Sequence, residues 1–168
     1  MRVQKSLKIA LSQCNFGHRN GKRAFQTQYE QNRSDAQHRP EQHRRLPPYM
    51  EEAGMIAPLR SETSGVRALG KVDKIYLENT NLMNQLSREN QNLGNLRETY
   101  FLNQTKTLHT VNSSTLGDFN IDDKDFEVGG KNRGLKQIAK SSDGFVVKND
   151  IERGYPQLIS LWQLGLIY

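Results

Sequence analysis

Hydrophobic and polar residues recur with the periods of helices and strands only after Pro48. The segment 49–53 is typical of the end of a helix, because Gly54 follows it as a stop signal. The apolar run at 55–59 predicts a strand, and a return strand is expected near 66–69, after the turn SETSG. Ordinary globular structure is therefore expected to begin at about residue 49.

The following segments lead to a long amphipathic pattern. VDKIYLEN alternates like a strand, and NLMNQL predicts a short helix. The stretch NLGNLRETYFLNQTKTL predicts a longer helix, in which four apolar residues near positions i, i+3, i+7 and i+8 form one buried face: Leu93, Leu96, Tyr100 and Phe101. Glu98 is expected near the edge of that face.

A β-hairpin is predicted in GDFNIDDKDFEVGG, with Asp122 and Asp123 as its two-residue turn. That turn sets four cross-strand pairs: Ile121–Lys124, Asn120–Asp125, Phe119–Phe126 and Asp118–Glu127. Alternation places the apolar residues Phe119, Ile121 and Phe126 on one face of the hairpin. The polar residues Asp118, Asn120, Asp125 and Glu127 are expected together on the other face.

The end of the chain predicts a short helix in RGLKQIAK, a turn in SSDG, a strand in FVVKNDI and an apolar finish in LISLWQLGLIY. From Leu93 onward the order is helix, strands, helix and strand. This order predicts the α/β class.

The positive charge of the chain belongs to its first 48 residues. These hold ten Lys and Arg against three Asp and Glu, a net charge of +7, whereas residues 49–168 hold fourteen against fifteen. The segment 17–48 is rich in Gln, Arg, His and Asn and offers few apolar residues to bury. It is expected to be a disordered basic arm, with a nucleic-acid-binding arm as the alternative, and any salt-sensitive DNA binding should follow this arm.

Several classes of site and location are disfavoured by the sequence. No apolar run approaches the ~20 residues that a membrane helix needs, so no membrane partner is expected. The lone Cys14 suits a reducing cytoplasm. GHRNGKR has three residues between its glycines instead of four, and Arg23 follows its lysine where Ser or Thr is needed, so no ATP site is expected.

Candidate chemistry is concentrated at the predicted hairpin. Facing carboxylates at Asp118 and Glu127 repel each other unless a cation lies between them, and Mg²⁺ accepts such oxygen ligands. With Lys131 to stabilise a phosphate or help to activate water, and Glu98 from the helix, these residues form a candidate phosphodiester-cleaving site. The alternative is a hairpin whose acidic face is simply solvated.

Residues 49–168 contain the segments YMEEAGMI, LGKVDKIYLENTNL, NLRETYFLNQ, GDF, FEVGGKN and LWQLGLIY. Through them the chain resembles the C-terminal region of a prokaryotic AAA-type ATPase family, in which a P-loop module precedes a winged helix and a domain of unknown function. The resemblance implies a remnant of the winged helix at 49–70 and a restriction-endonuclease-like domain at 71–168.

Active members of that fold carry the PD-(D/E)xK signature, with an acid and a lysine separated by one residue. The resemblance implies catalytic roles for Glu98, Asp118, Glu127 and Lys131, with the three acids as metal ligands. Here Val128 and two glycines separate Glu127 from Lys131. A β-bulge could return the lysine to the site, or the centre could be degenerate.

Residues 1–48 do not match the helix-turn-helix that the family places before YMEEAGMI. A one-base frame error just before Tyr49 would explain an arm without periodicity that ends at a well-formed domain. The chain is therefore expected to be a truncated or frame-disrupted accessory module, without the ATPase module, that binds DNA or protein partners of the parent ATPase. A Mg²⁺-dependent DNA nuclease is the alternative, and a basic-armed nucleic-acid binder is a third hypothesis.

Overall fold

The computed structural model describes residues 48–61, 72–87, 92–130, 138, 141 and 143–167. The chain divides into two units, Met1–Gly54 and Met55–Tyr168. Of the first unit, the described part is helical over 48–52 and ends at Gly54, whose φ of 62° is the left-handed conformation that glycine adopts freely. The expected arm, the return strand at 66–69, Lys131 and most of RGLKQIAK lie outside the described residues.

Two strands form the first sheet of the second unit. Strand β1 spans Ile56–Arg60 and pairs antiparallel with β2, Val72–Leu77. The register pairs Ile56 with Leu77 and is interrupted by an irregularity between Leu59 and Arg60. The alternation in VDKIYL thus predicted β2 correctly.

Two α-helices follow β2. Helix α1 spans Thr80–Ser87, and helix α2 spans Leu93–Thr105. The side chain of Asn92 caps α2 by accepting hydrogen bonds from the backbone N–H groups of Gly94 and Asn95. Each of the helices described is too short or too polar to cross a membrane.

The second sheet has five strands in sequence order. They are β3 (Asn112–Ser113), β4 (Phe119–Ile121), β5 (Lys124–Gly129), β6 (Gly144–Lys148) and β7 (Leu158–Ser160). Strands β3, β4 and β5 pair antiparallel, whereas β6 and β7 continue the sheet in parallel. The apolar finish forms β7 and then a 3-10 helix over Leu161–Leu166.

The hairpin turn has the geometry that its sequence predicted. Asp122 and Asp123 have φ angles of 49° and 63°, as a two-residue turn with two left-handed positions requires. Strands β4 and β5 pair Ile121 with Lys124, and the next two pairs also follow the expected register. The structure departs from the expected register only at Asp118.

The main core lies between α2 and one face of the five-stranded sheet. Phe101 is 1% exposed, and its ring stacks on Phe119 with a centroid distance of 4.9 Å. The expected buried face of α2 is wrong at its start, because Leu93 is 57% exposed. The buried residues of α2 are Thr99, Phe101, Leu102 and Thr105.

The fold is mixed α/β, as the order of predicted elements indicated. A parallel bridge between Ser61 and Ser113 joins the end of β1 to β3. Tyr76 of β2 also contacts Phe119 of β4, with ring centroids 5.6 Å apart. Through these contacts β2 lies next to the β4–β5 hairpin and shares a hydrophobic core with helix α2.

Candidate functional site

Three elements place charged side chains at one point near the start of β4. Lys74 and Tyr76 are two residues apart on β2, so they project from the same face of that strand. Glu98 lies in the second turn of α2, and Asp118 comes directly before β4. We call these four residues the Lys74 centre.

The ammonium group of Lys74 lies between the two carboxylates. Its Nζ is 3.2 Å from Glu98 Oε2 and 3.1 Å from Asp118 Oδ1, so it donates a hydrogen bond to each. The hydroxyl of Tyr76 donates a third hydrogen bond, of 2.6 Å, to Glu98 Oε2. One lysine therefore neutralises part of the charge of two acids at once.

Asp118 reaches this centre because the backbone is irregular at the start of β4. The N–H of Asp118 donates to the carbonyl of Phe126, the same residue that Phe119 pairs with. This two-against-one arrangement is that of a β-bulge, which redirects a side chain. Gly117 permits the close approach, since a Cβ there would lie 2.8 Å from the Phe126 carbonyl oxygen.

The bulge changes the partner of Asp118. The carboxylate that was expected opposite Glu127 instead accepts a hydrogen bond of 3.1 Å from the N–H of Val128 through Oδ2, while Oδ1 faces Lys74. Both oxygens of Asp118 are thus engaged by donors. The orientation of this side chain is fixed from two elements.

The surroundings of Glu98 raise the pKa of its carboxyl group. Burial raises the pKa of Glu98, and the neighbouring charge of Asp118 raises it further. The ion pair with Lys74 and the hydrogen bonds from Tyr76 and Lys74 act in the opposite direction but do not restore the ordinary value. Glu98 therefore takes up a proton more readily than an isolated glutamate.

Lys74 and Tyr76 are both held in their protonated forms. Burial by itself lowers the pKa of Lys74, but the charges of Glu98 and Asp118 outweigh that effect and the pKa is raised. Burial raises the pKa of the Tyr76 hydroxyl, and the charge of Glu98 raises it further. Lys74 is accordingly a fixed cation, and Tyr76 a fixed hydrogen-bond donor.

Glu127 lies on the other side of strand β5. Phe126 and Val128 face α2, since the ring of Phe126 contacts Phe101 and Val128 belongs to the main core. Alternation therefore turns Glu127 to the opposite face, where it is 5% exposed and pairs in register with Val146. The structure brings Glu98 and Asp118 together but does not bring Glu127 to them, and Lys131 lies outside the described residues.

The donor set of the Lys74 centre does not suit the Mg²⁺ that the family resemblance implies. Across the described parts of the second unit and residues 48–54, no group of three or more His, Cys, Asp or Glu side chains is arranged to hold a metal ion. More directly, the Lys74 ammonium lies between Glu98 and Asp118, two of the three acids that were expected to hold the metal ion. A divalent ion there would meet a positive charge at close range.

A second polar cluster lies on the face of the hairpin away from α2. Asp125 accepts hydrogen bonds from the Ser114 hydroxyl at 2.6 Å and from the Asn120 amide at 3.3 Å. Burial alone would raise the pKa of Asp125, but hydrogen bonds from Ser114, Ser141 and Asn120 reverse this effect and lower it. The expected pairing of Asn120 with Asp125 is confirmed, and the described contacts of this carboxylate include no cation.

Lys74 was not among the residues singled out from the sequence. The signal that could have indicated it is the pattern of β2, in which Lys74 and Tyr76 share one face while Ile75 and Leu77 share the other. The bulge that brings Asp118 to Lys74 has no comparable signal, apart from the glycine at 117.

Comparisons of the chain with models of protein families, with curated proteins and with solved structures found no match.

Proposed function

We propose that the chain is a non-catalytic accessory and binding module, corresponding to the C-terminal part of an AAA-type ATPase without its ATPase module. In this proposal residues 71–168 have a restriction-endonuclease-like fold and 49–70 are the remnant of a winged helix. The observation that supports a non-catalytic role is Lys74 Nζ, placed 3.2 Å from Glu98 Oε2 and 3.1 Å from Asp118 Oδ1. A metal-dependent nuclease needs those oxygens for its cation.

The alternative is a Mg²⁺-dependent DNA nuclease that uses Glu98, Asp118, Glu127 and Lys131. The convergence of Glu98 and Asp118 favours it, because two of the four residues meet in space. It requires Lys74 to leave the carboxylates and Glu127 to reach them from the other face of β5. The accessory role requires neither change, which is why we prefer it.

The direct test is a cleavage assay with the full chain. Supercoiled plasmid and single-stranded DNA are incubated with the purified protein and Mg²⁺ or Mn²⁺, beside Asp118→Ala and the matched exposed control Asp150→Ala. We expect no cleavage by any of the three proteins. Cleavage that is lost in Asp118→Ala and kept in Asp150→Ala would establish the nuclease and refute our proposal.

The truncated origin of the chain has its own test in the nucleotide sequence before Tyr49. We expect the codons for residues 26–48, read one base out of frame, to specify a helix-turn-helix that continues into YMEEAGMI. A shifted frame that contains stop codons or specifies no amphipathic helices would refute the frame error. It would leave the accessory role of residues 49–168 to be judged by the cleavage assay alone.

A further inference from the structure

A separate concave surface lies beside the first turns of helix α2. We call it the α2 groove, and its volume is about 400 Å³. Its lining includes Leu93, Leu96, Arg97 and Tyr100, at spacings that place them along one side of α2, and Trp162 from the 3-10 helix. The residues of the Lys74 centre are not among those that line it.

The apolar part of the groove is open to solvent. Leu93 is 57% exposed and Trp162 is 51% exposed, although both belong to segments whose apolar pattern indicated burial. A single exposed leucine is ordinary, but a leucine and a tryptophan that line one cavity form a surface that gains from being covered. Leu96 and Tyr100 are partly buried and extend this surface inward.

Among the described residues that line the groove, Arg97 alone carries a positive charge. Arg97 Nε is buried and finds no hydrogen-bond acceptor among the described residues. The guanidinium lies against Gly130, where a Cβ would come within 3.2 Å of both terminal nitrogens. No Asp or Glu occurs among the described residues that line the groove, so its single charge lacks an anionic partner there.

We propose that the α2 groove binds a small organic acid. An apolar or aromatic body would cover Leu93, Leu96 and Trp162, and one carboxylate would accept hydrogen bonds from Arg97, whose planar fork matches that group. The volume of about 400 Å³ falls within the range of small-molecule pockets. A nucleic acid fits less well, because successive phosphates need several cations and the described lining has one.

The proposal goes beyond the accessory role and shares no residue with the Lys74 centre. Its test uses the fluorescence of Trp162, the single tryptophan of the chain, which lines the groove itself. The full chain is titrated with 3-phenylpropanoate and, separately, with its neutral amide of nearly the same shape. We expect a saturable change with the acid and binding about tenfold weaker with the amide, because a charged hydrogen bond is lost.

Three variants locate the binding. Arg97→Gln should weaken the acid to the level of the amide, while Leu93→Gln should weaken both probes. Leu108→Gln is the matched control, since Leu108 is 58% exposed but does not line the groove, and it should bind like the unmodified chain. Because Leu93 is an exposed position, its variant keeps the test valid even if Arg97→Gln fails to fold.

Three results would overturn the proposal. They are no saturable change with the acid, equal affinity for acid and amide in the unmodified chain, or equal losses in Leu93→Gln and Leu108→Gln. The first would mean that the groove binds no such ligand. The second would remove the role of Arg97, and the third would place binding outside the groove.

Discussion

Two carboxylates, the half-buried Glu98 and the buried Asp125, lie on opposite sides of the β4–β5 hairpin and are stabilised in different ways. Glu98 has a second acid beside it, and both share the ammonium of Lys74. Asp125 has no ion pair among its described contacts and is held by hydroxyl and amide donors from Ser114 and Asn120. The pKa of Glu98 is raised, above all by burial, whereas hydrogen bonds lower that of Asp125.

Comparing Glu98 with Asp125 indicates under which conditions a carboxylate of low exposure needs a cation beside it. A lone carboxylate can be kept ionised by a few neutral donors, because each hydrogen bond favours its charged form. Two adjacent carboxylates repel each other, so both stay ionised only where a positive charge offsets the repulsion; otherwise one of them takes up a proton. Here that charge is supplied by the chain itself, and this is the observation on which our proposal of a non-catalytic role depends.

The largest expected effect in this comparison comes from removing the shared cation. Lys74→Met should lower the free energy of unfolding at pH 7 by about 2 kcal/mol, less than for a fully buried pair because a third of the Lys74 side chain is in solvent. The loss should shrink at pH 4, below the ordinary value of 4.5 for Glu98, because the raised pKa of that acid leaves it mostly protonated there. Urea denaturation at both pH values measures it.

Lys124→Met is the matched control for that variant, since Lys124 is an exposed lysine on β5. It should change the free energy of unfolding by less than about 0.5 kcal/mol at either pH. If Lys74→Met were no more harmful than this control, the ammonium would not be needed between the carboxylates. The Lys74 centre would then not differ from the Asp125 cluster in its need for a cation.

Asp125→Asn should have the next largest effect. The amide keeps one acceptor oxygen and places a donor where the carboxylate had accepted, so we expect a loss of about 1–2 kcal/mol at neutral pH. Because the pKa of Asp125 is lowered, its contribution is present above pH 3.8 and is lost as pH falls through the folded-state pKa below that value. Urea denaturation between pH 2.5 and pH 7 should show the two proteins converging at the acid end.

The exposed Asp150 provides the control, as Asp150→Asn should leave stability almost unchanged across that pH range. A constant difference between the unmodified chain and Asp125→Asn at every pH would contradict the assignment. It would mean that shape or packing, rather than the charge of Asp125, accounts for the loss.

Glu98→Gln should have the smallest effect and the opposite pH dependence. Since the pKa of Glu98 is raised, ionising it costs stability, and its favourable contribution is present below the ordinary value of 4.5 and lost as pH rises through the folded-state pKa. The unmodified chain should therefore lose stability relative to Glu98→Gln as pH rises above 4.5. The change should be about 1 kcal/mol or less.

Denaturation of Glu98→Gln beside the exposed control Glu152→Gln measures this trend. The stability of Glu152→Gln relative to the unmodified chain should not vary with pH in the same range. If Glu98→Gln instead became relatively less stable as pH rises, the carboxylate would be stabilised by its charge. Glu98 would then resemble Asp125, and the two carboxylates would not differ in how their charge affects stability.

The sequence was sufficient to predict the elements and the turn of the hairpin, because local rules govern them. Two aspartates between strands fixed a two-residue turn, and the turn fixed the register from Ile121–Lys124 to Phe119–Phe126. The strand β2 was likewise evident from its alternation. These features depend on neighbouring residues only.

The arrangement of the site was harder to predict, because it depends on residues far apart in the chain. The bulge at Asp118 turned one acid away from the expected face, and nothing in a periodic reading indicates a bulge of this kind. Lys74 lies 24 residues before Glu98 and 44 before Asp118. The burial of Leu93 was mispredicted for a related reason, since a helical stripe containing this residue does not say whether another element covers it.

We propose that Lys74 holds the position that a divalent cation would otherwise take. Thermal unfolding of the unmodified chain and of Lys74→Ala, measured with rising MgCl₂ at constant ionic strength, tests it directly, because alanine leaves space for an ion between Glu98 and Asp118. At ten times the dissociation constant, binding to the folded state adds about 1.4 kcal/mol of stability. We predict that Mg²⁺ raises the Tm of Lys74→Ala, and that the Tm of the unmodified chain stays constant. A saturable rise in the Tm of the unmodified chain that is absent from Lys74→Ala would show that the Lys74 ammonium does not exclude the ion.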